Sequence, residues 1–100
     1  MHKRSRFELY GDILLAIRED VDKNSTARLT RVYGKANVPY DRFKGYINDL
    51  RKNALIEISV VNDHEEIKVT KRGFEYIQEY VHVDKFLIAF GLREKHHDLE

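Results

Sequence analysis

The chain has 100 residues, 42% of them hydrophobic and 35% charged, with a formal net charge of +1 at pH 7. That is enough apolar material for one small core and not for two, so a single domain spanning residues 1–100 is expected. The absence of cysteine excludes disulfides, thiolate nucleophiles and thiolate zinc sites, and the longest apolar run, Phe86 to Phe90, is too short for a membrane span.

Met1-His2-Lys3-Arg4 leads into an amphipathic segment instead of a signal-peptide core, which fits a soluble, cytoplasmic protein. From Arg6 the residues Phe7, Leu9, Tyr10, Ile13, Leu14, Ala16 and Ile17 recur at helical spacing. Ser5 and Glu8 form a capping-box pattern at the start, giving a first helix over 6–19. Gly11 inside it costs roughly 1 kcal/mol relative to Ala, which marks either a close helix contact or nothing at all. The polar stretch Glu19 to Ser25 reads as a connection, with Asn24-Ser25-Thr26 offering N-cap side chains to a second helix over 26–35. That helix carries Ala27, Leu29, Thr30, Val32, Tyr33 and Ala36.

Tyr33-Gly34-Lys35-Ala36-Asn37-Val38-Pro39 is a tight corner into a third helix over 39–53, with Pro39 suited to its start. Phe43, Ile47, Leu50 and Ala54 share one face at spacings of four, three and four. Tyr40, Lys44, Gly45, Asn48, Arg51 and Lys52 occupy the other. Leu55 to Val61 and Glu66 to Thr70 then switch to β-branched residues and partial alternation. Joined through Asn62-Asp63-His64-Glu65, they read as a hairpin over 55–70, with Leu55, Ile58, Val60, Ile67 and Val69 as core candidates. Thr70 can cap a last helix over 71–90. Its apolar residues Phe74, Ile77, Tyr80, Val81, Val83, Phe86, Leu87, Ile88 and Phe90 cover more faces than one small core can take, which predicts a homodimer through this helix. A charged tail over 93–100 closes the chain.

The charge is asymmetric. Residues 1–60 carry 12 Lys and Arg against 8 Asp and Glu, a balance of +4, and residues 61–100 carry 6 against 9, a balance of −3. Lys23 to Lys52 alone holds eight basic residues against two acidic ones, so the corner motif lies in the part of the chain suited to a polyanion. A helix face offering Arg42, Lys44 and Asn48 can reach base edges in a major groove. Arg28, Arg31, Lys35, Arg51 and Lys52 would neutralise phosphates around it. Tyr40 opens the same face and equally suits a hydrophobic staple.

Other chemistry finds little support in the pattern. None of the five histidines pairs with another at the spacing of a rigid site on one helix face. His96, His97 and Asp98 are clustered only in the tail, while His2, His64 and His82 are scattered. Ser5, Ser25 and Ser59 lack an activating motif and no glycine loop cradles a phosphate. No enzyme, cofactor or structural metal is expected.

The run Arg31 to Leu50, with Ala54 to Glu57 and Val69 to Gly73, resembles small archaeal winged-helix regulators of the ArnR-like group. Its most specific parts are Tyr33-Gly-Lys-Ala-Asn37 and Thr70-Lys-Arg-Gly73. The resemblance implies an α+β, mostly helical fold, a winged helix-turn-helix, with 39–53 as recognition helix and Asn62 to Glu65 as wing tip. It also implies double-stranded DNA as partner and dimerisation through the C-terminal helix. The chain departs from the group at Pro39, where a capping Ser is common, and at the wing. There Asp63, Glu65 and Glu66 repel phosphate and leave His64 and Lys68 as the favourable charges. A dimeric transcriptional regulator is thus the leading expectation, with a winged-helix protein-interaction module and a nonspecific chromatin protein as alternatives.

Overall fold

Ser5 starts the first helix by the expected reciprocal cap. Its hydroxyl accepts the Glu8 N–H at 3.1 Å, and the Glu8 carboxylate accepts the Ser5 N–H at 2.8 Å. In the computed structural model, which describes residues 4–93, this helix is α1 (Arg6–Asn24). It is followed by β1 (Ala27–Arg28), α2 (Leu29–Ala36), α3 (Tyr40–Lys52), β2 (Ile56–Val61), β3 (His64–Val69) and α4 (Lys71–Ala89). Four helices and one three-stranded antiparallel sheet, in the order β1-β3-β2, make a winged helix-turn-helix fold. Ile13, Leu14, Ile17, Val32, Phe43, Ile47, Leu50, Ile56, Ile67 and Ile77 form the core where helices and sheet meet. No helix of the described residues is long and apolar enough to cross a membrane.

Several boundaries differ from the sequence reading, each for a physical reason. The polar stretch after Glu19 is helical to Asn24, because its charges lie on the exposed side while Asp20 turns inward. Ser25, with φ of 70°, ends the helix and donates its N–H to the Val21 carbonyl at 2.8 Å. It is a C-cap of α1 and not an N-cap of the next helix. Thr26 to Arg28 is not helical: Ala27 pairs with Ile67 and Arg28 with Glu66, adding a strand that two residues alone could not announce. Arg28 precedes α2 without any side-chain cap.

At the other end of the corner, α3 stops at Lys52. Ala54 takes a φ of 60° and is exposed, so it does not continue the buried face of Phe43, Ile47 and Leu50. The wing turn is two residues and not four. Asn62 and Asp63 both have positive φ, as a tight hairpin whose twist matches its strands requires, and His64 and Glu65 are already paired with Val61 and Val60. Val60, expected inside, is 71% exposed, because β2 forms the outer edge of the sheet and its far half runs past the helices. Ile56 takes the buried place instead.

The Thr70-Lys-Arg-Gly73 segment grips the exit of α3. The Thr70 hydroxyl donates to the Ala54 carbonyl at 2.6 Å and accepts the Gly73 N–H at 3.0 Å, and Arg72 Nε donates to the Asn53 carbonyl at 3.0 Å. A Cβ on Gly73 would lie 2.2 Å from the Leu55 carbonyl oxygen, so only glycine lets α4 start this close. Gly11 is explained in the same way: a Cβ there would meet the Tyr80 ring at 2.5 Å, which seats α4 on α1. The Tyr80 hydroxyl donates to Asp12 at 2.7 Å, and Phe7 stacks edge-on to the same ring at 5.3 Å between centroids. Ile77 and Tyr80, offered as interface residues, are therefore buried in this protomer's own core. Arg93, assigned to the tail, packs its guanidinium against Asp84 and, at 2.8 Å, against Glu8. The rest of the expected tail lies outside the described residues, with His96, His97 and Asp98, as does His2 at the start of the chain.

Asp20 is 1% exposed and fully engaged. Its carboxylate accepts the Arg28 backbone N–H at 3.0 Å, the Asn24 amide at 2.7 Å and Arg31 Nε at 2.9 Å. Burial by itself would raise its pKa. The Arg28 N–H, the Arg31 guanidinium and the Asn24 amide outweigh that and hold the carboxyl below the usual carboxylate range. A depressed folded pKa means that the stabilisation is complete above the unfolded value, about 4, and is lost as pH falls through the folded value. Thermal melts of wild type and Asp20→Asn should therefore differ most at neutral pH and converge toward about pH 3. A gap of equal size at both pH values would show that the charge of Asp20 contributes nothing.

Candidate nucleic-acid interface

The burial of Phe43, Ile47 and Leu50 fixes which side of α3 faces outward. Asp41, Gly45, Asn48 and Lys52 lie on the line opposite, at spacings of four, three and four, and all four are exposed. Lys44 and Arg51 flank this line on one side and Arg42 lies toward the other, also exposed. Arg42 is thus less central than the sequence reading made it. Asp41 is the position it passed over, although helical spacing from Phe43 would have found it. Asn48 accepts a hydrogen bond from Arg51 at 3.1 Å, leaving its amide N–H₂ to donate.

Tyr40 is 52% exposed and half-committed. Its ring stands edge-on to Tyr33 at 5.3 Å, and Lys44 Nζ lies over it at 5.5 Å from the centroid. The aromatic contact braces the corner between α2 and α3, while the hydroxyl side is left to solvent. At the foot of the corner, Arg4 donates to the Ala36 carbonyl at 3.1 Å and pairs with Asp12 at 2.9 Å. Tyr10 donates to Asp49 at 2.8 Å, tying α1 to α3 from the other side.

The basic residues around α3 are not equivalent. Arg31 is held by Asp20 through Nε and also donates to the Thr26 carbonyl at 3.0 Å, so it braces the scaffold. Lys35 pairs with Glu19 at 2.9 Å, close enough that its ammonium holds the Glu19 carboxyl below the usual range. That pair is largely exposed and worth at most about 1 kcal/mol, so a phosphate can displace it at little cost. Arg28 differs again, because its Nε is buried without a hydrogen-bond partner among the described residues.

Arg28 lines a cleft of about 240 Å³ between the helix-turn-helix and the wing tip, together with Leu29, Thr30, Tyr33, Tyr40, Phe43, Asp63, His64 and Glu65. The uncapped start of α2 opens toward the same region, and its free N–H groups favour an anion. Asp63 and Glu65 at the rim oppose one, so the cleft suits a phosphate held by Arg28 and the helix start and kept off the wing tip. Lys68 is exposed on β3 across from Glu57, while His64 shares the cleft with Tyr40 of α3. Among the described residues no three His, Asp or Glu side chains converge to hold a metal ion.

Along α4 the exposed apolar residues are Phe74, Val83, Phe86 and Phe90, with Val81 and Leu87 half-buried. Phe86 and Phe90 stack on each other at 4.8 Å, and Phe90 is still 68% exposed.

A protein-family model described as winged helix-turn-helix matches residues 3–87. No curated protein matches the chain. Among solved structures, the fold is similar to that of Archaeoglobus fulgidus AF1382, with a TM-score of 0.70 and 16% identity over 80% of this chain and 88% of that one. It is also similar to Sso10a-2, a DNA-binding protein from Sulfolobus solfataricus, with a TM-score of 0.64 and 20% identity over 92% of this chain and all of that one (100%). A MepR mutant of S. aureus, solved bound to an oligodeoxyribonucleotide, gives a TM-score of 0.68 and 10% identity over 90% of this chain and 66% of that one.

The two arginines flanking the start of α2 separate scaffold from surface. Arg31→Ala strands the buried Asp20 carboxylate and should lower stability by about 3 kcal/mol in a denaturant titration. Arg28→Ala removes a donor that has no partner and should stay within about 0.5 kcal/mol of wild type. A reversed order would mean that the Asp20 cluster is not what holds this end of α2.

Proposed function

The chain belongs to the winged helix-turn-helix family, and from that premise we propose that it is a double-stranded-DNA-binding protein, a dimeric regulator of transcription that reads the major groove with α3. The observation that carries this reading is the outward line of α3, where polar and basic side chains stand free beside a phosphate-suited cleft. Asn48 can pair with an adenine edge, Lys44 and Arg42 with guanine or phosphate, and Asp41 can accept from cytosine. Arg28, Lys35, Arg51 and Lys52 act on phosphates, which position the protein without reading sequence. Tyr40 contributes its exposed edge. The wing adds only His64 and Lys68, because its carboxylates keep the tip away from the backbone.

The known binders of DNA with this fold, Sso10a-2 and the MepR mutant, make the reading natural. The corner and wing-exit motifs favour the small archaeal ArnR-like group within the family, and a cytoplasmic location goes with a DNA-binding role. A second reading, a protein-interaction module, draws on the acidic wing and on the apolar end of α4. It is the weaker one, since the basic stretch Lys23 to Lys52 would then have no use.

Titration with genomic DNA fragments at two salt concentrations tests the proposal. Asn48→Ala should cost roughly 1 to 3 kcal/mol on the preferred site and much less on random DNA, whereas Arg28→Ala or Lys35→Ala should weaken all sequences and lower the salt slope by about one unit. Unchanged binding after Arg42→Ala plus Lys44→Ala would remove α3 and promote the protein-interaction reading.

The homodimer is assigned to the second half of α4, through Val81, Val83, Phe86, Leu87 and Phe90, with Phe74 at the near end. Light scattering should give a dimer mass. Leu87→Glu or Phe90→Glu should shift it to monomer, because an unpaired carboxylate in an apolar seam costs several kcal/mol. A wild-type monomer at high micromolar concentration would end this part of the proposal.

A further inference from the structure

The chain has five glycines, and the fold accounts for three of them. Gly11 and Gly73 admit a ring and a carbonyl that a Cβ would strike, and Gly91 has a φ of +73° just beyond α4. Gly34 and Gly45 have open space on every side, with nothing within 4 Å of an added Cβ. Gly34 lies two residues before the end of α2, where the helix finishes and a glycine costs little. Gly45 is different. It occupies the middle of α3, where glycine weakens a helix relative to alanine, and no contact inside the protein requires it.

Its position supplies the missing reason. Gly45 stands on the outward line between Asp41 and Asn48, with Lys44 and Lys52 close by, so it marks the centre of the face assigned to DNA. A major groove is about 12 Å wide and a helix with its side chains about 10–12 Å across, which leaves almost no clearance. We propose that Gly45 is the point of closest approach of α3 to DNA, its missing side chain letting the helix backbone settle against the groove so that Asp41 and Asn48 reach base edges. Short side chains such as these reach a base only from a deeply seated helix. A methyl at Gly45 would lift the axis, and those contacts would lengthen first while the long Lys and Arg side chains still reached phosphates. Gly45 is therefore a positioning residue for sequence readout, an assignment that rests on the DNA-binding reading above.

The test combines thermal melts with DNA titrations for wild type, Gly45→Ala and Gly45→Leu. Both variants should melt higher, Gly45→Ala by about 5 °C from its better helix propensity. Affinity for the preferred site should fall about tenfold for Gly45→Ala, the equivalent of one lost base contact, and further for Gly45→Leu, with random-sequence binding little changed. Variants that melt higher and bind the preferred site as tightly as wild type overturn the inference and leave the DNA-binding reading intact. A lower melting temperature also overturns it, by showing that the fold needs the glycine. A wild type that binds no fragment ends both, and that arm alone identifies the failure as the broader one.

Discussion

The end of the protein that carries the helix-turn-helix depends on one carboxylate that cannot see solvent. Asp20 sits at the end of α1 and collects the Arg28 N–H, the Arg31 guanidinium and the Asn24 amide. Through Arg28 it holds the strand that pairs with β3, and through Arg31 it holds the first turn of α2. A buried charge is tolerable only when so fully coordinated. The arrangement commits Arg31 to holding the start of α2 against α1.

A second set of polar contacts runs down the opposite side. Arg93 meets Glu8 and Asp84 near the end of α4; Tyr80 on the same helix meets Asp12, and Asp12 holds Arg4 against the Ala36 carbonyl at the corner. Gly11 makes this possible by letting the Tyr80 ring lie flat on α1. The first half of α4 thus puts Ile77 and Tyr80 into the domain body, while the second half, tied back through Arg93, leaves Phe86 and Phe90 exposed. This division explains why Ile77 and Tyr80 leave the proposed interface while Phe86 and Phe90 remain in it.

Helical periodicity made the four helices legible, since Phe43, Ile47 and Leu50 or Ile13, Leu14 and Ile17 can share a side in no other conformation. The β-branched run and Asn62-Asp63 did the same for the hairpin. Charge misled twice. Glu19 to Asn24 looked like a loop because its residues are polar, yet polar residues with good helix propensity extend a helix wherever one of them finds buried partners, as Asp20 does. Arg31 read only as surface charge because a sequence does not display the aspartate that pairs with it. The β1 strand was invisible because its pairing is set by β3, forty residues away in the chain, and not by its own two residues. At the candidate interface, Asn48, Lys44 and Lys52 were legible from spacing alone, whereas the standing of Arg28, with its unpartnered Nε, needed coordinates.

The pairing of Ala27 with Ile67 has a kinetic side. It closes a loop that contains α2, the corner, α3 and β2, so the helix-turn-helix is clasped at its base by a ladder two residues long. Neighbouring elements can meet early, because their contacts are close in sequence, while the clasp must wait for a long loop to find its ends. Until it shuts, β3 presents a bare edge on the side that β1 covers. Closing the clasp takes that strand edge out of reach of other chains.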